Sequence, residues 1–330
     1  MAMNFWEAQR RARSKTSLYV TLFVIFTLIV AVLVEYSMRV FAGDSYHPPF
    51  PLLGLVFVGI TFTVALFQYG MFKSFGGAYV AESLGGRLVD GQTHNFKEQQ
   101  LLNVVQEMAL AASLPVPPVY VLPTHSINAF AAGITPDNAA IAITKGSLDI
   151  LSRDELQGVV AHEFGHIYNA DMKISMRLAA MVMGFFFVLY IAMRLLQFAP
   201  SDRDRKGGNP LVLAAIILLL AGTITWIFGS VLKAAVSRER EYLADACAVQ
   251  FTRNPDGIAN ALRKIEKCEC NDMPSKGMAY SHLYFDDNIS LSTIFATHPP
   301  LRKRIAAIEG RLYIPEEWHI DQPEKNSREP

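Results

Sequence analysis

His162 and His166 stand four residues apart, with Glu163 directly after the first. On a helix, positions i and i+4 share a face one turn apart, so both imidazoles can close on one metal ion. Glu163 then lies beside the first ligand, where its carboxylate reaches a water on the metal without binding the metal itself. Zinc lowers the pKa of such a water to about 7, and a neighbouring carboxylate can draw off its proton as it attacks. The pattern is that of metal-assisted peptide hydrolysis. The same spacing also suits a buried helix whose two histidines are satisfied by hydrogen bonds.

Catalytic zinc usually has three protein ligands and one open position, so a third ligand separates the two readings. The stretch "SREREYLADACAV" (237–249) offers one. Glu241 and Asp245 are again at i and i+4 on a helical pattern. Glu241 can complete the ligand set, and Asp245 can accept a hydrogen bond from the second nitrogen of a ligand histidine. Read alone, the stretch also suits a charged amphipathic helix laced with Arg–Glu pairs.

Elements must bring these residues together. Ser152-Arg-Asp-Glu155 is a capping box, which predicts a helix that starts there and runs through His166. Residues 96–113 carry helical periodicity and end before a proline cluster. "PPVYVLP", "INAFAAG" and "AAIAITKG" read as three short strands. Short strands followed by helices predict an α+β arrangement.

The rest of the chain is too apolar for an ordinary soluble domain. Of 330 residues, 51% are hydrophobic and only 18% charged, which points to a membrane protein with a polar part. The formal net charge is zero, so nothing suggests a polyanionic partner, and no nucleic acid is expected. A span needs roughly 20 apolar residues. No Asp, Glu, Lys or Arg occurs between Lys15 and Glu35 or between Asp44 and Lys73, so two spans form a first hairpin. The first span's core is longer than a signal peptide's, and no small-residue cleavage site follows. "LAAMVMGFFFVLYIAM" (178–193) and the longer 210–232 segment predict a second hairpin, or else very apolar helices packed on the polar part. Arg10, Arg11, Arg13 and Lys15 precede the first span and place that end in the cytoplasm. Arg203, Arg205 and Lys206 in the second loop run against the same rule. The three cysteines, Cys247, Cys268 and Cys270, are odd in number and clustered, which suits a reducing compartment.

"HEFGHIYNAD", "SREREYLADACA" and "THPPLRKRI" occur in that order between paired hydrophobic segments. In this the chain resembles the HtpX-type membrane zinc endopeptidases, relatives of the CAAX prenyl endopeptidases within the gluzincin class. The resemblance implies a mainly α-helical, α+β zincin-like (gluzincin) peptidase domain with four transmembrane helices in two hairpins. It implies one zinc ion on His162, His166 and Glu241, with Glu163 as general base and Asp245 as the carboxylate behind a ligand. Asn128, Ala129 and Phe130 resemble the edge strand that would read an extended substrate's main chain. His298 and Arg304 resemble a pair near the scissile carbonyl; Arg302 is close enough in sequence to be confused with Arg304. Asn169 and Asp171 match the pattern and receive no chemistry, a helix-end role or one behind a ligand being equally open; Arg238 and Arg240 are expected in structural ion pairs. The implied substrates are misfolded or damaged polypeptides of the cell membrane, cut on its cytoplasmic side. The rivals are a prenyl-protein endopeptidase and a non-catalytic zinc-binding membrane sensor. The expected organisation is a basic cytoplasmic segment 1–15, hairpin 16–72, a first peptidase part 73–173, hairpin 174–232, a second peptidase part 233–312, and a polar tail 313–330. The 269–297 region is either a lid or a plain loop.

Overall fold

The computed structural model describes residues 5–198, 209–267 and 300–310. His298, the Cys268-Glu-Cys270 pair, the 269–297 region and the tail from 313 lie outside them.

Four long helices carry the apolar segments: α1 (Phe5–Ala42), α2 (Leu52–Ser83), α6 (Asp171–Phe198) and α7 (Pro210–Thr252). Each carries a stretch long and apolar enough to cross a membrane, of 26, 32, 28 and 23 residues, the first (Val20–Ser45) running on through the turn after α1. In lipid the backbone must satisfy its own polar groups, which a helix does. The helices bury Phe23, Phe57 and Phe185 among themselves, with Phe23 stacked on Phe185 at 4.6 Å. Small residues let backbones meet: a Cβ on Gly184 would lie 2.4 Å from Thr61 O. Leu66 and Leu220 point outward, 70% and 60% exposed, as lipid-facing residues do. At the hairpin turn Glu35 accepts hydrogen bonds from Leu53 N (3.0 Å) and Gly54 N (3.3 Å), capping the start of α2. The second apolar pair is therefore packed on the first as a four-helix membrane unit.

The polar part is built on a four-stranded sheet of order β1-β2-β4-β3: β1 (Arg87–Leu88), β2 (Val119–Leu122), β3 (Ala129–Ala132) and β4 (Ala140–Thr144). β2 and β4 run parallel; the other pairs are antiparallel. Side chains of β4 alternate between faces. Ile141 and Ile143 join a core with α3 (Phe96–Ala112) and α5 (Arg153–Tyr168). Ala140 and Ala142 join Phe72, Val80, Met176 and Ala179, which belong to α2 and α6. The sheet thus lies between the peptidase helices and the extended ends of two membrane helices. Contact with α2 is so close that a Cβ on Gly77 would sit 2.2 Å from Ala132 O. Its neighbour Gly76 has φ +61°, where α2 kinks.

The predicted capping box forms as read: Ser152 N donates to Glu155 Oε2 at 2.7 Å, and Glu155 N to Ser152 Oγ at 3.4 Å. Glu155 also accepts from Lys264 Nζ at 2.6 Å, tying α5 to α8 (Pro255–Lys267). A short α4 (Lys145–Ile150) and β1, neither predicted, complete the polar part with α9 (Leu301–Glu309). One difference matters for the site. The 210–232 span and the 237–249 segment are a single unbroken helix, α7. No Gly or Pro occurs between Gly229 and Thr252, and Ala, Leu, Glu and Arg dominate, so nothing stops the helix at the membrane edge.

Burial pushes the Glu155 carboxyl up, but hydrogen bonds from Lys264 and Ser152 outweigh it and hold its pKa below 4.5. A depressed carboxylate stabilises the fold above its unfolded pKa and loses that contribution as pH falls through the folded one. Glu155→Ala should lower the unfolding free energy at pH 7 by about 2 kcal/mol, from a lost cap and a lost ion pair. Denaturant titration in detergent should show the gap to wild type closing as pH falls below about 4.

Candidate active site

α5 places His162 and His166 on one face, their rings edge to face at 4.8 Å. α7 crosses α5 closely because Gly165 lacks a side chain; a Cβ there would lie 3.0 Å from Ala244 Cα. That crossing brings in Glu241. Ligand atoms of His162, His166 and Glu241 all lie within 4.8 Å of one another. His162 Nε2 is 3.6 Å from Glu241 Oε2, and His166 Nε2 is 3.6 Å from Oε1. These separations are too long for hydrogen bonds. Ligand bonds of about 2.0–2.2 Å at tetrahedral angles put donors about 3.3–3.6 Å apart; both His–Glu241 separations match this, each through its own carboxylate oxygen, so the donor set suits a zinc ion.

The other nitrogen of each histidine faces a carboxylate. His162 Nδ1 is 2.8 Å from Asp245 Oδ1, and His166 Nδ1 is 3.3 Å from Asp171 Oδ2. Each contact turns Nε2 toward Glu241 and favours the tautomer that can bind metal there. Each carboxylate in turn holds a buried arginine. Arg304 donates from Nε to Asp245 Oδ2 (2.9 Å) and from Nη2 to Oδ1 (2.7 Å), and its Nη1 lies 3.1 Å from Glu241 Oε2. Arg240 Nη1 lies 3.1 Å from Asp171 Oδ1. Burial lowers the His162 pKa, yet Asp245 and Glu241 outweigh it and raise the imidazole to about 9. Burial raises Asp245, but Arg304 and His162 bring it down to about 2. Asp245 is thus held ionised as the acceptor for His162. Glu163 is buried on α5 beside His162.

Arg304, which the resemblance sets near a scissile carbonyl, stands behind the two histidines' helix against Asp245 and Glu241. Its side chain is 0% exposed and its guanidinium is committed to Asp245 and Glu241. Arg302, two residues away, lies on the surface and pairs with Glu266.

β3 is an edge of the sheet among the described residues. Thr144 N donates to Asn128 O at 3.0 Å, which makes 128/144 a hydrogen-bonded pair of the antiparallel ladder. Alternation then turns the backbone groups of Phe130 toward β4 and those of Ala129 and Ala131 away from it. Asn128 N is also taken inward, by Thr144 Oγ1 (3.0 Å) and Ser147 Oγ (2.8 Å), while Asn128 Oδ1 accepts from Ala129 N at 2.8 Å. Of the three residues expected to face a substrate, only Ala129 turns its backbone outward. Ala131 does so too, and the sequence reading missed it because alternation assigns a face only once the register is known. The sequence left Asp171 between a helix-end role and one behind a ligand, and gave Arg240 only an ion pair; the structure places Asp171 against His166 and Arg240 against Asp171.

Removing one partner of a buried ion pair leaves an uncompensated charge, which costs about 3–5 kcal/mol. Arg304→Ala should therefore destabilise the metal-free protein by that much in detergent unfolding, whereas Arg302→Ala should stay within about 0.5 kcal/mol. Equal effects would refute the buried placement of Arg304.

Residues 95–312 match the family model described as "Peptidase family M48". A "Protease HtpX homolog" of Ligilactobacillus salivarius is 40% identical over 217 residues, 64% of this chain and 72% of that one. A "Protease HtpX homolog" of Pyrococcus furiosus is 36% identical over 253 residues, 74% of this chain and 83% of that one. The crystal structure of S. mikatae Ste24p overlaps 91% of this chain and 66% of its own at a TM-score of 0.45 and 16% identity, too distant to add to the argument. The matched region holds both histidines, Glu241 and the residues that orient them. The chain belongs to peptidase family M48, as a membrane metalloprotease of the HtpX type.

Proposed function

We propose that this metalloprotease is a zinc-dependent endopeptidase that cuts misfolded or damaged membrane proteins on the cytoplasmic side of the cell membrane. The observation that carries the zinc reading is the convergence of His162 Nε2, His166 Nε2 and Glu241, with each Nδ1 held by its own carboxylate. His162, His166 and Glu241 would hold one ion, and zinc there supplies a Lewis acid that polarises water and the substrate carbonyl. Glu163 takes the proton of the attacking water and passes it to the leaving amine. Asp245 and Asp171 keep Nε2 of each histidine turned inward, and Arg304 holds Asp245 and Glu241 in place. The outward carbonyl of Ala129, whose N–H is taken by Asn128 Oδ1, and the outward backbone of Ala131 offer main-chain hydrogen bonds to an extended chain. Such pairing reads backbone rather than side chains and so suits unfolded substrates of many sequences. His298 remains our candidate for a group near the carbonyl, on the resemblance alone. The basic residues Arg10, Arg11, Arg13 and Lys15, ahead of the first apolar stretch, support the cytoplasmic placement.

The test is cleavage of an unfolded polypeptide by detergent-purified protein, with and without zinc, beside Glu163→Gln. Only zinc-loaded wild type should cut, and Glu163→Gln should lose about 10²–10⁴-fold in kcat/KM while keeping its zinc. Equal cleavage by the variant would remove Glu163 as base. A zinc-loaded wild type that cuts only a prenylated C-terminal peptide would point to a prenyl-protein endopeptidase; one that cuts neither would point to a sensor.

A further inference from the structure

The two histidines are backed by matching sets, His162–Asp245–Arg304 and His166–Asp171–Arg240. The second set takes its carboxylate from α6 and its guanidinium from α7, where the first takes them from α7 and α9. Asp171 is the first residue of α6, and Arg240 directly precedes Glu241 on α7. Both are buried. Arg240 Nη1 reaches the carboxylate of Asp171 and also its main-chain oxygen at 3.3 Å, so it grips the helix start as well as the side chain. Only two residues separate Tyr168, the end of α5, from Asp171. Ala170 between them has φ +57°, a backbone state that a residue with a Cβ holds only where its surroundings impose it. Ala170 N bonds Ile167 O at 3.1 Å, and Asn169 Nδ2 bonds Gly165 O at 2.8 Å, closing the turn on the helix that carries His166.

We propose that Asp171 and Arg240 are positioning residues. Asp171 orients His166 toward the metal, and Arg240 fixes Asp171 and the first turn of α6 against α7, so the pair sets how tightly the site holds its ion. The inference rests on the zinc reading given above. Neither residue touches substrate. Because Arg240 and Glu241 are neighbours on one helix, the anchor and the third ligand move together.

The experiment measures Zn²⁺ affinity of the full chain in detergent by competition with a chelator, alongside the absorption spectrum of the Co²⁺-substituted protein. Asp171→Asn and Arg240→Gln should each bind zinc about 10–100-fold more weakly. Arg240→Lys should recover part of that loss, and the double variant should bind no more weakly than the weaker of the two single variants, because the residues act as a unit. Arg153→Gln, in an exposed pair with Glu107, should leave affinity unchanged. The Co²⁺ spectrum of Asp171→Asn should shift, which a loss of stability alone would not produce. Wild-type affinity and spectrum in Asp171→Asn and Arg240→Gln would overturn the inference. If Asp171→Asn does not fold, the Arg240 variants decide it by the same readouts. A wild type that takes up no zinc would instead overturn the metal reading beneath it.

Discussion

Charge taken out of water must be balanced where it lies. Four carboxylates, those of Glu163, Glu241, Asp245 and Asp171, are buried where α5, α6 and α7 meet. Two guanidiniums, those of Arg240 and Arg304, are buried with them. When all six are ionised and both histidines are neutral, as metal ligands must be, two negative charges are left over, the amount one divalent cation neutralises; without a metal, a proton on His162 takes up one of them. Desolvated charges cost several kcal/mol each unless paired and hydrogen-bonded. This explains why each arginine is committed to a carboxylate and each of Asp171 and Asp245 to a histidine. It also supports reading the gap between the two histidines and Glu241 as a place for a metal ion.

That cluster needs rigid walls, and the membrane helices supply them. One face of the sheet rests on α2 and α6, the other on α3 and α5. Close backbone contact at Gly77 and at the Gly165–Ala244 crossing leaves little room for these layers to slide. The edge strand, the histidine helix and the glutamate helix are thus positioned by the same packing that holds the four spans together.

Much of this was legible in the sequence because the signals are local. Apolar runs, the Ser152–Glu155 box and the spacing of His162, Glu163 and His166 each depend on residues within a turn or two of one another. Glu241 and Asp245 could be named because they too share a helix face. What was not legible depends on long-range geometry. Arg302 and Arg304 are two residues apart on α9, and only docking of that helix decides which is buried. Asp171 could not be assigned because its role exists only once α6 turns back on α5 through Ala170. The outward positions of β3 follow from which ladder pair is hydrogen-bonded, and no pattern of alanines encodes that.

The continuity of α7 has a consequence of scale. Glu241 lies nine residues past Leu232, where the apolar stretch ends, and at 1.5 Å per residue that is about 13 Å along the helix. An unbroken helix is stiff, so this distance acts as a ruler. On the proposed function, a substrate anchored in the bilayer would have to extend about four residues past the level of Leu232 to reach the histidines and Glu241. The ruler is also phased: one added residue would swing Glu241 by about 100° away from the histidines, so its length can change only by whole turns.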